Sequence, residues 1–142
     1  MERYRLRDAL ADLMLGSVGL AVNLTVRDVQ DAVGRYFKIN RDVLLSNRRD
    51  RKIARPRQIA MYLARKYTLN SYPDLGMRFY RDHSTIVHAF HRIRALRIED
   101  PTIGAMVQDC EDILNNTVSW RVQAAQNIAS QPLAISMSGE AA

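Results

Sequence analysis

The densest chemistry in the chain lies in the thirteen residues from Arg81 to Ile93, "RDHSTIVHAFHRI". Asp82 suits a helix N-cap, because its carboxylate can accept from the free amides of a first turn. Behind it Ile86, Ala89, Phe90 and Ile93 recur at helical spacing and form one apolar stripe. His83, Ser84, Thr85, His88 and Arg92 fall on the other side. Short donors and acceptors at the helix start, with cations further along, are what a helix needs if its N-terminal end enters a DNA major groove. Ser and Thr touch bases or phosphates, His donates to N7 or O6, and Arg anchors the backbone. The same pattern also describes an amphipathic helix with an ordinary solvated face, and both readings stand at this level.

A second concentration of charge precedes it, "NRRDRKIARPRQ". From Arg48 to Arg57 there are six cations and one acid. Such a run is often a solvated loop. Here it lies between two helical patterns and ends in Arg-Pro-Arg, and Pro56 suits the first turn of a helix, where its missing amide costs nothing. Arg48, Arg49 and Arg51 would then sit on a loop able to reach a phosphate or enter a minor groove.

Other chemistries find no support. No GxxxxGK[ST] phosphate loop occurs. His83, His88 and His91 are clustered, but no Cys pair or HExxH accompanies them, and five-residue spacing puts His83 and His88 on different helical faces. Glu99 with Asp100, and Asp109 with Glu111 and Asp112, read as helix termini and polar faces with no nucleophile beside them. No enzyme, metal or cofactor is expected. The 142 residues are 47% hydrophobic, enough for one domain with tails and a true core. The net charge of +6 and pI of about 9.9 favour a polyanionic partner, nucleic acid before membrane. The single cysteine, Cys110, lies on an apolar stripe and reads as a buried, inert thiol in a reducing cytosol. No apolar run reaches the ~18 residues that span a bilayer. Arg3, Arg5 and Arg7 precede an apolar stretch, but Asp8 and Asp12 interrupt it. This favours an amphipathic helix and linker over a signal peptide.

The elements that must position these groups are all helical. Leu6, Ala9, Leu10, Leu13 and Met14 make one face over residues 2–15, before Gly16, Ser17 and Gly19 break the pattern. Thr25 caps a helix with Val26, Val29, Ala32, Val33, Tyr36 and Phe37 inside and Arg27, Asp28, Gln30, Asp31 and Arg35 outside. "RDVLLS" reads as one short turn that points Val43, Leu44 or Leu45 inward. The next helix is expected from Pro56 to about Tyr67, burying Ile59, Ala60, Leu63 and Tyr67 and exposing Arg57, Arg65 and Lys66. Ser71 caps a short helix that buries Leu75 and Phe79, with Gly76 small where two helices must come close. The step from this short helix through a tight turn into Arg81–Ile93 is a helix-turn-helix. Asp100 and Pro101 open a last helix with Ile103, Met106, Val107, Cys110, Ile113 and Leu114 inside, closed by Asn115 and Asn116. The expected organisation is an N-terminal helix and linker over 1–20, an all-α compact helical bundle over 21–116 and a flexible tail over 117–142.

"RRDRKIARPRQIAMYLARKYT" followed by "SYPDLGMRFYRDHSTIVHAFHRI" resembles the C-terminal DNA-binding domain, domain IV, of the bacterial replication initiator DnaA. The resemblance covers roughly Thr25 to Leu96 and keeps the family's blocks in order. It implies a Trp-repressor-like helical bundle that binds double-stranded DNA at the DnaA box, an asymmetric AT-rich site of the TTATCCACA type. The family's minor-groove arginine falls on Arg49, beside Arg48. Its residues at the turn of the motif, near the bases, fall on Tyr72 and Pro73. Its recognition tip falls on Asp82, His83, Ser84 and Thr85, preceded by Arg81 and followed by His88. Asp82 in that role accepts from a cytosine amino group, and His83 meets a guanine or a thymine methyl. Arg57, Gln58, Arg65 and Arg92 match positions that grip the DNA backbone. The family carries Gly-Gly before Arg-Asp-His, where this chain has only Tyr80, and Ser84 stands in place of a Thr. The initiator's ATPase domain lies outside the match, so the resemblance reads as a stand-alone binding domain.

The expected function is therefore sequence-specific DNA binding at DnaA-box-type sites, regulating replication initiation or transcription at the nucleoid in the cytoplasm. The alternative is a protein-interaction module that binds the initiator or another replication protein, with residues 2–15 as its contact face. A weaker third reading is nucleoid binding through charge alone, with steep salt dependence and no sequence preference.

Overall fold

The computed structural model describes residues 23–130. Six helices make up the described chain: α1 Val26–Phe37, α2 Arg41–Leu44, α3 Arg51–Tyr67, α4 Tyr72–Phe79, α5 His83–Glu99 and α6 Pro101–Ser130. No strand occurs among the described residues. Residues 24–115 form one helical domain, in which α5 packs on α3 and α4 and α1 packs on α3.

Local sequence sets most of the boundaries. Thr25 caps α1 in a reciprocal box: its hydroxyl accepts from the Asp28 amide at 3.1 Å, and its own amide donates to Asp28 Oδ2 at 2.8 Å. Lys38 ends that helix in a left-handed conformation. Ser71 caps α4, Asp82 caps α5, and Asp100 accepts from the Thr102 amide at 2.9 Å to open α6. An eight-residue helix such as α4 is too short to hold itself in water. Burial of Leu75 and Phe79 against α3 and α5 stabilises it, at roughly 1.5–3 kcal/mol for each side chain fully removed from water. Leu44 is the residue of α2 that enters the core.

Four features depart from the sequence-based expectation. α3 begins at Arg51, five residues before Pro56. The proline sits inside the helix, where it forfeits the bond to the Lys52 carbonyl, and Ile53 and Pro56 join the buried face. Gln30, expected outside, is 1% exposed. Its amide donates to the Arg78 carbonyl at 3.2 Å and accepts from Arg41 Nε at 2.9 Å, so its polar ends are satisfied inside. Glu111, expected on a polar face, is buried. It pairs with Lys66 at 3.0 Å and with Arg97, and accepts from the Tyr67 hydroxyl, tying α6 to α3 and α5. Beside it Cys110 is buried as expected, and burial pushes its thiol up to about 12.

Finally, α6 does not close at Asn116. It continues to Ser130, because no Gly or Pro falls between Ala105 and Gln131 and Val118, Val122 and Ala125 extend a helical period. Residues 116–130 belong with Asn23 to a separate unit, within which Arg121 Nη1 donates to the Asn23 carbonyl at 3.3 Å. The expected N-terminal helix and residues 131–142 of the expected tail lie outside the described residues.

Candidate nucleic-acid interface

The helix-turn-helix is α4, three turn residues and α5. Its geometry depends on Gly76. A Cβ there would lie 2.7 Å from the Arg81 carbonyl oxygen and 3.2 Å from the His83 amide nitrogen. The Arg81 amide donates to the Gly76 carbonyl at 2.8 Å, which closes the turn. Tyr80 occupies the left-handed cap position at φ 55°, a conformation that glycine adopts without cost and tyrosine does not. Tyr80 alone thus carries the left-handed step of this turn.

The turn leaves the first residues of α5 open to solvent. Asp82, His83, Ser84 and Thr85 are all exposed at the N-terminus of α5. Asp82 accepts from both the hydroxyl and the amide of Ser84 and lies 3.4 Å from His83 Nδ1. These donors, the Ser84 hydroxyl first, hold its carboxyl below the ordinary range, so it is an anion available as an acceptor. The Ser84 hydroxyl is already spent on Asp82.

Two grooves flank this tip. One, of about 530 Å³, runs between α3 and α5 and gathers Arg57, Gln58, Arg81, Thr85, His88 and Arg92. The other, also about 530 Å³, lies along α4 and brings Pro73, Met77 and Tyr80 beside Asp82 and His83. Arg81 lines both. Arg49 is exposed at the loop before α3 and has no hydrogen-bond partner among the described residues. Its neighbour Arg48 folds back on Asp50 in a bidentate, exposed pair at 3.1 Å. Arg65 and Tyr72 form a separate group. The guanidinium lies 4.3 Å over the tyrosine ring and donates to the Asn70 carbonyl at 3.0 Å, while the ring meets Phe90 edge-on.

One expected position is corrected. Arg57 does not project from the outer face of α3. It is 6% exposed, donating from Nε to the Leu44 carbonyl at 2.6 Å and from Nη1 to the Arg48 carbonyl at 2.9 Å. Burial, with Arg81 nearby, lowers its pKa below the ordinary arginine value.

The sequence put Arg51 on a loop and gave no DNA-facing role to Arg55 or His91. Arg51 and Arg55 stand one turn apart on α3, and burial together with the nearby charges of Arg51 and Arg92 lowers the Arg55 pKa. The i, i+4 spacing of Arg51 and Arg55 was visible, but starting the helix at Pro56 hid it. His91 also lines the groove between α3 and α5. The first turn of α3 holds no acid and two cations, Arg51 and Lys52, at the end where the helix dipole already favours anions. Cations crowded in this way are relieved by a polyanion.

Residues 26–93 match the family model described as the bacterial dnaA protein helix-turn-helix. Chromosomal replication initiator proteins DnaA are similar over the same region. That of Sphingopyxis alaskensis is 41% identical over 119 residues, covering 78% of this chain and 26% of the relative. That of Agrobacterium fabrum is 41% identical over 109 residues, covering 76% and 22%. That of Caulobacter vibrioides is 48% identical over 82 residues, covering 57% and 17%. The chain thus spans about a quarter or less of the length of these relatives. No helix among the described residues is long and apolar enough to cross a membrane. Residues 26–93, just under half of the chain, thus form a helical domain of the bacterial DnaA helix-turn-helix type, with its three-residue turn at Gly76.

Proposed function

We propose that this domain reads double-stranded DNA at DnaA-box-type, AT-rich sites, and that by occupying such sites the chain regulates replication initiation or transcription beside them. The observation that carries the proposal is the continuity of the exposed tip, Asp82 to Thr85, with the cation-lined groove between α3 and α5. In this reading the tip enters the major groove, where Asp82 accepts from a cytosine amino group and His83 donates to a purine edge. Arg49 enters the adjacent minor groove, which is narrow and electronegative over AT-rich sequence. Arg92, Arg55 and Arg51 neutralise phosphates without reading sequence. Pro73, at the exposed N-terminus of α4, borders the same duplex. One asymmetric site needs one domain, and the initiator is then a competitor for the site. The work takes place at the nucleoid.

Substitutions at two positions separate reading from charge. His83→Ala should weaken binding to a box duplex by ~1–3 kcal/mol and reduce its preference over a scrambled duplex. Arg92→Ala should weaken both duplexes about equally and flatten the salt slope by about one. If His83→Ala leaves the preference between duplexes untouched, α5 is not the reading element.

A further inference from the structure

Arg57 and Arg81 come from different elements, the second turn of α3 and the turn before α5. Both end on the same short segment. Arg57 donates to the carbonyls of Leu44 and Arg48, and Arg81 Nη2 donates to the Ser46 carbonyl at 2.5 Å. Arg81 Nη1 also donates to the Tyr80 carbonyl at 3.0 Å, within its own turn. Three alternate carbonyls of residues 44–48 are thus taken by two guanidinium groups, and neither group is paired with a carboxylate among the described residues. The segment so held leads directly into Arg49, and the turn that supplies Arg81 leads directly into the Asp82 tip. Charge-assisted bonds of this kind are roughly twice as strong as neutral ones. Arginine's planar fork also spans two carbonyls, which a lysine ammonium does not do in a fixed geometry.

We infer that Arg57 and Arg81 are positioning residues that lock the Arg49 loop in register with the tip of α5, so that the minor-groove and major-groove contacts are presented as one unit. This rests on the DNA reading proposed above. Arg57 then affects affinity through Arg49 and not through a phosphate of its own, although its position in the family's pattern is one that grips the backbone. Loosening the clamp lets the loop sample arrangements in which Arg49 misses the groove, at no loss of net charge.

The test is a double-mutant cycle in the full chain, with binding to a box duplex measured for Arg49→Ala, Arg57→Lys and the pair. Arg57→Lys is expected to reduce affinity about tenfold when Arg49 is present and less than about twofold when it is not, a coupling within the usual range for residues that act together. The same cycle with Arg81→Lys, at a more exposed site, gives the same pattern if Arg57→Lys lowers the melting temperature. Amide hydrogen exchange over residues 45–50 without DNA should speed up in either lysine variant. Additive losses, or full affinity in Arg57→Lys, overturn the clamp while leaving the DNA reading intact. Unchanged affinity in Arg49→Ala alone overturns the minor-groove reading and the clamp together.

Discussion

The close approach at Gly76 makes a quantitative expectation for Gly76→Ala. The added Cβ would stand 2.7 Å from the Arg81 carbonyl oxygen, against 3.4 Å for the near edge of ordinary contact, so the two backbones must part by several tenths of an ångström. What it meets is backbone, not the end of a flexible side chain, and the same backbone donates from the Arg81 amide to the Gly76 carbonyl at 2.8 Å. Overpacking of this kind costs about 1–3 kcal/mol, and weakening the turn bond adds about 0.5–1.5 kcal/mol. Alanine's better helix propensity returns about 1 kcal/mol. The net loss is then roughly 0.5–3.5 kcal/mol. In a domain of this size each kcal/mol moves the melting temperature by about 4–8 °C. Thermal unfolding followed by circular dichroism should therefore show a drop of ~2–28 °C, with the low end most compatible with a folded variant. DNA affinity should fall further than the unfolded fraction accounts for, because the displaced atoms lead into His83. A Gly76→Ala protein that melts at or above the parent temperature and binds DNA unchanged would refute the claim that this contact sets the turn.

Two further outcomes follow from the same geometry. Tyr80 is 74% exposed and left-handed, so little packing is lost when it is replaced, and Tyr80→Gly should stabilise the domain by about 1 kcal/mol in a denaturant titration while Tyr80→Ala changes little. A destabilised glycine variant would show that the tyrosine side chain matters more than its backbone. Glu111→Gln leaves Lys66 and Arg97 without their buried counter-charge and should cost roughly 3 kcal/mol in thermal stability, with DNA affinity unchanged below the transition, since Glu111 lines neither groove. Equal stability of the glutamine variant would mean that packing, not charge, holds α6 in place.

The sequence was most informative where signals are local. Caps at Thr25, Ser71, Asp82 and Asp100, the apolar periods of α1, α4 and α5, and the small residue at Gly76 were all legible, because each acts within one or two turns of its own chain. The start of α3 was not. Pro56 reads as a helix start and the cations before it as a loop, yet the helix runs through both and buries Ile53 and Pro56. Gln30, Arg57 and Glu111 were misplaced for one shared reason. A polar side chain can be buried only if partners distant in sequence satisfy it, and those partners (the Arg78 carbonyl, the 44–48 segment, and Lys66 with Arg97) are fixed by the tertiary fold. The end of α6 was lost because small and polar residues were read as a break, where the absence of Gly and Pro lets a helix continue. The exposed tip residues were individually legible, but their joining to one groove through Arg81 was not.

A domain that recognises sequence, and does not merely attract polyanions, must separate two duplexes of equal charge. Fluorescence anisotropy of a labelled duplex carrying one TTATCCACA site, against a scrambled duplex of the same composition, measures it at about 0.15 M salt, where exposed charges are screened beyond ~8 Å. Site-specific readout gives a preference of about tenfold or more for the site, equivalent to about 1.4 kcal/mol. Equal binding to both duplexes, or no binding to either, would contradict it.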